Sequence, residues 1–161
     1  MVNLAARAAP GRTVERMEPP VAETALIWDD TLATYRFRPD HPLNPRRLEL
    51  TVGLIRALGM VGDEARPVLA PRPATDAELL AVHAPEYVDA VKRLSEPGAN
   101  ERDGLAWGLG TEDTPVVEGM HDMAAMVAGA TLLAAEAVMS GRARRAFNPA
   151  GGLHHAFRAR A

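Results

Sequence analysis

Three short apolar runs alternate with longer helical patterns in this chain, and that alternation limits the fold more than any other feature. The runs occupy residues 26–28, 66–70 and 146–147. A continuous apolar run is typical of a strand buried on both faces, and strands that alternate with helices favour a parallel sheet. The sequence therefore predicts an α/β fold: a layered parallel sheet flanked by helices, beginning near Ala25.

The first helices carry clear start signals. Asn44 followed by Pro45 is a good N-cap and first-turn pair, and it predicts a helix from Pro45 to about Leu58. Thr75 and Glu78 have the spacing of a capping box, in which each side chain satisfies the backbone N–H of the other residue. A second helix is therefore predicted to begin after Thr75.

Two further helices are predicted before the last strand. The first begins at Ala84 and Pro85, and its apolar side chains are Tyr87, Val88, Val91 and Leu94. Residues 95–111 are rich in glycine and polar residues and are predicted to be a loop. Residues 119–140 form the longest predicted helix, which is apolar nearly all round, and such a helix is expected to lie buried between layers.

Composition and charge restrict the partners of the chain. Its 161 residues suffice for one domain with a core, and its net charge of −3 provides no basic field for nucleic acid or an anionic membrane. The longest charge-free stretch in the middle, residues 123–135, is shorter than the roughly 20 residues of a membrane-spanning helix. The absence of cysteine excludes disulfides and thiolate metal ligands.

The first 24 residues are predicted to be a disordered leader. Pro10, Gly11, Pro19 and Pro20 interrupt any helix there, and no continuous apolar segment resembles a secretory signal. The expected location is therefore cytoplasmic, and the structured domain is expected to cover residues 25–161.

The strongest candidate for chemistry is the histidine pair His154 and His155. It follows the last predicted strand and the glycines Gly151 and Gly152, which let the backbone turn sharply and let a substrate come close. Ligands of open α/β sheets bind at the carboxyl ends of the strands. Of two adjacent histidines, one can act as a general acid and the other as a general base. The alternative is a pair of ordinary loop histidines. His41, His83 and His121 have no metal-ligand spacing, and none is interpreted as a ligand.

Arg46, Arg47 and Asp113 are weaker candidates. An arginine in a first helical turn opposes the helix dipole, so Arg46 and Arg47 suggest an anionic or carbonyl partner. A loop and a helix cap explain the surrounding segment equally well. Asp113 precedes Thr-Pro, which favours a turn in which the aspartate bonds its own backbone. The alternative is a carboxylate at a pocket rim that accepts a hydrogen bond from a substrate amide.

Taken together, these segments resemble the zinc-dependent histone deacetylase superfamily, specifically its bacterial acetoin utilization proteins. The resemblance covers roughly residues 25–161. It rests on HPLNPRRLELT (41–51), ATDAELLAVHAPEYVDAVKRLS (74–95), GLGTEDTPVVEGM (108–120), the alanine-rich helix and FNPAGGLHHAF (147–157). An arginase/deacetylase-like fold is what this resemblance implies.

The resemblance also implies roles for individual residues. His154 and His155 match the tandem catalytic histidines, the second acting as the base and the first supporting the transition state. Asp113 matches the rim aspartate that holds the substrate backbone, and Arg47 matches an arginine of the internal cavity where acetate leaves. The implied substrates are acetylated lysine in a protein or a small acetylated amine, and the implied cofactor is zinc or another divalent metal.

One departure from the family pattern is large. The family's zinc ligands lie downstream of the tandem histidines, so no metal ligand is assigned in this chain, which is expected to be the truncated N-terminal part of a deacetylase domain. Two hypotheses follow. The chain belongs to a zinc-dependent deacetylase, or it is a non-catalytic fragment that is inactive or needs a complementing partner. Its oligomeric state stays open.

Overall fold

The computed structural model describes residues 21–34, 36–37, 41, 43–151 and 157–161. Within them lies a three-stranded parallel sheet in the order β2-β1-β3. The strands are β1 (Ala25–Ile27), β2 (Val68–Leu69) and β3 (Ala146–Phe147). Leu26 at the centre of β1 is in register with Val68 on one side and Phe147 on the other. The three predicted runs and the predicted α/β class are confirmed.

The described residues also form four α-helices: α1 (Arg46–Ala57), α2 (Asp76–Leu80), α3 (Pro85–Leu94) and α4 (Met120–Met139). Two 3-10 helices, Asp30–Ala33 and Glu101–Trp107, complete the described elements. The second of them corrects the prediction that residues 95–111 are a loop. Its N-cap is Asn100, whose side chain accepts from the Arg102 N–H at 3.1 Å. A single short helix of this kind has too few turns to show an apolar period in the sequence.

The predicted helix starts are present. Thr75 and Glu78 form both hydrogen bonds of the capping box at the start of α2. At the start of α1, the Asn44 side chain accepts from the Arg46 N–H at 2.9 Å, although the regular helix begins one residue later than predicted. These local side-chain bonds satisfy donors that the first turn of a helix leaves free.

The core lies around β1, which is buried at all three of its residues. Strands β2 and β3 flank β1 on opposite sides, and parallel crossovers are right-handed, so α1 and α4 cover opposite faces of the sheet. Val52 of α1 and Ala130 and Ala137 of α4 belong to the same buried cluster as β1. This arrangement is the layered sheet flanked by helices that the sequence predicts.

Helix α4 differs from its prediction because only part of it is buried. Its buried residues are Met120, Ala125, Gly129, Ala130 and Ala137. Met139, the last residue of the helix, is 88% exposed. By length and composition alone, this 20-residue helix could also cross a membrane. The charge-free stretch 123–135 is shorter than the helix and does not indicate this. One such helix is weak evidence, because the core helices of soluble proteins pass the same test, and α4 packs on β1 and β3.

The predicted leader boundary falls inside the described residues. Ala22 is buried and forms a parallel bridge with Ala143, and the Glu23 N–H donates to the Ala65 carbonyl at 2.7 Å. Residues 22–24 thus extend the line of β1 by backbone hydrogen bonds, which a composition-based boundary does not detect. Residues 1–20 lie outside the described residues, and their assignment to a leader stays a prediction.

Candidate active site

A cavity of about 520 Å³ lies at the carboxyl edge of the sheet. Each strand contributes a residue that follows it: Leu32 after β1, Ala74 after β2 and Gly151 after β3. Helix α4 closes one wall with Ala124, Val127, Ala128, Thr131 and Leu132. This is the edge where open α/β sheets bind ligands, and the lining is mainly apolar with a few polar groups, as in most small-molecule sites.

Arg47 lies in the cavity wall, whereas its neighbour Arg46 does not. Arg46 donates to Glu49 on the same helix at 2.9 Å, so an intrahelical ion pair accounts for its position in the first turn. None of the ion pairs among the described residues involves Arg47. Arg47 is therefore a cationic residue of the cavity wall whose charge no described carboxylate neutralises.

Asp113 is exposed beside the cavity rather than in its wall. The next residues, Thr114 and Pro115, line the cavity. The turn is closed by Thr111, whose hydroxyl accepts from the Thr114 N–H at 3.0 Å, and not by the aspartate as the turn interpretation expects. Thr114 in turn donates to the Gly108 carbonyl at 2.6 Å. The turn thus holds the Asp113 carboxylate in solvent next to the cavity.

Gly152, His154 and His155 lie outside the described residues, but the segment leading to them is held firmly. The Asn148 side chain donates to the Thr131 hydroxyl at 3.1 Å and accepts from the Ala150 N–H at 3.0 Å. Ala150 is buried and Gly151 lines the cavity. Asn148 therefore ties the loop after β3 to α4 immediately before the predicted catalytic residues.

The structure adds His83 and Tyr87 to the cavity wall, which sequence reasoning missed. The His83 Nδ1 lies 3.1 Å from the Phe157 carbonyl, and its ring is 5.3 Å from that of Tyr87. Burial raises the pKa of the Tyr87 phenol above its usual value. His83 has no metal-ligand spacing in the sequence. Its position between the capped helix α2 and Pro85 is the signal that indicates a fixed site for this side chain.

Glu78 is the carboxylate of the cavity wall. The Arg72 guanidinium binds both its oxygens, at 2.8 and 2.7 Å, and the Thr75 backbone and hydroxyl donate to one of them. The pKa of Glu78 is lowered to about 2. The hydrogen bonds from Arg72 are the largest cause, and those from Thr75 are the next largest. Glu78 is thus held ionised with its oxygens occupied, so its role in the cavity wall is structural.

The described residues contain no group of three His, Cys, Asp or Glu side chains that could hold a metal ion. Metal sites in proteins normally take three or more protein ligands. The described part of the chain does not by itself provide the ligand set of the zinc that the resemblance implies.

The fold, the cavity and the motif order define a histone deacetylase-type protein, and comparison with known proteins gives the same answer. The family model of the histone deacetylase domain matches residues 41–161 of the sequence, and the chain belongs to that family. Acetoin utilization protein AcuC of Bacillus subtilis (strain 168) is 42% identical over 86% of this chain and 35% of its own. AcuC of Staphylococcus aureus (strain MRSA252) is 36% identical over 87% of this chain and 36% of its own length.

Solved structures agree with the fold. The histone deacetylase (HDAC) homologue from Aquifex aeolicus has a TM-score of 0.71 and 31% identity over 86% of this chain and 37% of its own. An HDAC homologue complexed with SAHA has a TM-score of 0.74 and 28% identity, and the match covers 88% of this chain and 37% of the homologue. The chain therefore spans about a third of the length of the relatives it matches.

Proposed function

We propose that this chain provides the tandem-histidine part of a deacetylase active site. The observation that carries the proposal is the position of the cavity. It lies at the carboxyl edge of the sheet, and its wall includes Gly151. In the sequence, Gly151 directly precedes Gly152 and the run that ends in His155. Membership of the histone deacetylase family supports this assignment. The proposed substrate is an acetylated lysine of a protein or a small acetylated amine.

In the proposed reaction His155 is the general base. It takes a proton from the water that attacks the acetyl carbonyl, and it later gives the proton to the amine as the amide C–N bond breaks. His154 stabilises the negative charge that develops on the carbonyl oxygen. The products are acetate and the free amine.

Three other residues have proposed binding roles. Asp113, exposed beside the cavity, accepts a hydrogen bond from the backbone amide of the substrate. Gly152 has no side chain, which allows the substrate to approach the loop closely. Arg47 in the cavity wall attracts the acetate product, because its guanidinium is the natural partner of a carboxylate.

Zinc dependence is proposed on the resemblance alone. The described residues form no group of three side chains that could hold the metal. The same observation, with the coverage of only about a third of each relative, supports a second candidate. In this candidate the chain by itself is non-catalytic and becomes active only with a complementing polypeptide.

A chimera tests both candidates. Residues 25–161 would replace the matched third of the Bacillus subtilis relative, and hydrolysis of an acetyl-lysine peptide would be measured for the chimera, the parent relative and the 161-residue chain with and without added zinc. We expect a chimera that hydrolyses the peptide and a chain that does not. An inactive, folded chimera beside an active parent would contradict the deacetylase assignment. Activity of the chain alone would contradict the second candidate.

A further inference from the structure

A second cavity, of about 390 Å³, lies between α1 and the 3-10 helix Asp30–Ala33. Its described lining residues are different from those of the cavity at the carboxyl edge of the sheet. The α1 side of its wall consists of Glu49, Val52, Gly53 and Arg56, whose spacing of three and four places them on one face of the helix. The volume of this cavity is within the range of small-molecule sites.

The floor of the second cavity is apolar. Three of its lining side chains are buried, since Trp28 is 5% exposed, Ala33 9% and Val52 2%. Gly53 adds no side chain to the wall, and a Cβ at its position would meet no atom within 4 Å. The cavity therefore combines a buried apolar floor with open space beside the backbone of α1.

The charges around this floor are unequally engaged. Glu49 accepts from Arg46, which does not line the cavity, at 2.9 Å, and Arg36 lies 4.0 Å from the other oxygen of Glu49. Arg56 is exposed and takes part in none of the ion pairs among the described residues. Because Arg46 already neutralises Glu49, the positive charges of Arg36 and Arg56 are balanced in the described wall only by Asp30. The cavity therefore favours an anion.

We propose that the second cavity binds a small organic carboxylate with an apolar body. The guanidinium of Arg56 is the partner of the carboxylate, because its planar donors match the two carboxylate oxygens. The apolar body covers Trp28 and Val52 and removes their remaining apolar surface from water. An inorganic anion uses the arginine without the floor, and a neutral aromatic molecule uses the floor without the arginine. This proposal does not depend on the deacetylase assignment.

Trp28 provides a direct readout of binding, because its indole N–H donates to Asp30 in the cavity wall at 2.8 Å. The chain has two tryptophans, and Trp107 is not among the described lining residues. The test is NMR titration of the ¹⁵N-labelled 161-residue chain with benzoate, observed at the two indole N–H signals. We expect a saturable shift of the Trp28 signal at millimolar benzoate and an unchanged Trp107 signal. Benzamide, which has the ring without the charge, and inorganic phosphate, which has charge without the ring, should each bind at least about tenfold more weakly.

Two substitutions locate the binding at this wall. Arg56→Gln should raise the Kd of benzoate by roughly tenfold or more, the effect of losing one charge-assisted hydrogen bond. Gly53→Leu places a side chain in the open space of the wall and should abolish the saturable shift. Arg93→Gln is the matched control, because Arg93 is an exposed arginine of α3 outside the described cavity lining, and it should leave the Kd unchanged.

The proposal is overturned if benzoate produces no saturable shift of Trp28, or if benzamide or phosphate binds as tightly as benzoate. It is also overturned if a folded Arg56→Gln or Gly53→Leu variant binds benzoate as the wild type does. A wild-type Trp107 signal shows that a variant is folded, and if one variant unfolds, the other decides. The comparison of the three probes on the wild-type chain needs no variant.

Discussion

Adjacent residues of one type serve different purposes here, as Arg46 and Arg47 show. Both lie in the first turn of α1, and the sequence gives both the same interpretation. Successive residues of a helix point about 100° apart. Arg46 consequently reaches Glu49 along the helix surface, while Arg47 lines the cavity. The residue type predicts a cationic site, but only the packing direction of the helix decides which arginine supplies it.

Glu78 provides a prediction at the same scale. Its pKa is lowered from 4.5 to about 2, so the stabilisation by its charge is complete above about pH 4.5 and is lost as the pH falls toward 2. Glu78→Gln keeps the side-chain shape of the capping box and removes the charge. We expect a lower free energy of unfolding for the variant above pH 4.5, with a difference that vanishes near pH 2. Urea unfolding across this pH range measures it.

Glu96→Gln is the control for this prediction, since Glu96 is exposed and takes part in none of the ion pairs among the described residues. Its effect on unfolding should be small at every pH. A Glu78→Gln difference that persists unchanged at pH 2 would show that charge pairing with Arg72 is not the cause.

At the scale of elements, the contact between α4 and the segment after β2 depends on a glycine. The Ala74 N–H donates to the Ala125 carbonyl of α4 at 2.8 Å, one helical turn before Gly129. A Cβ at Gly129 would meet the Arg72 carbonyl oxygen and would lie 2.8 Å from the Ala74 nitrogen. Gly129 therefore permits the backbone approach that places Ala74 in the cavity wall.

Gly129→Ala should accordingly destabilise the fold. The clash involves backbone atoms, which cannot rotate away, and overpacking of this kind costs about 1–3 kcal/mol. Gly53→Ala in α1 is the matched control, because nothing lies within 4 Å of its Cβ and alanine favours a helix by up to about 1 kcal/mol. In thermal unfolding, the midpoint temperature of Gly129→Ala should be lower than that of the wild type. The midpoint of Gly53→Ala should be higher or unchanged. Equal midpoints for both variants would contradict the packing argument.

Elements with local signals were predictable, and contacts between elements were not. The Thr75 and Glu78 capping box fixes the start of α2 within four residues of sequence, and its prediction is confirmed. The 3-10 helix after Asn100 has no period to detect, and the exposed side of α4 depends on which elements of the fold pack against it. The histidine pair could be proposed because glycine and histidine occur together in sequence, and it stays a prediction, because it lies outside the described residues. His83 was missed because its partner Phe157 is 74 residues away.

At the scale of the whole molecule, α1 exposes an apolar stripe. Leu50 and Leu54 of the helix and Leu58 at its C-cap lie four residues apart and are 57–64% exposed. Contiguous apolar surface of this kind promotes association. We expect the 161-residue chain to self-associate with rising concentration in sedimentation velocity experiments, and Leu54→Lys to weaken that association. Leu105→Lys, which alters a single exposed leucine of a 3-10 helix, should not. A wild-type chain that stays monomeric at every concentration would contradict this expectation.

The central claim is that the segment after β3 carries the catalytic base of a deacetylase. The most direct measurement is kcat for acetyl-lysine peptide hydrolysis by the chimera with and without His155→Ala, beside His121→Ala as a histidine outside the cavity lining. A general base contributes about 10²–10⁴ in rate, so the account predicts a loss of that size for His155→Ala and little change for His121→Ala. A folded His155→Ala chimera that retains the rate of its parent would contradict it.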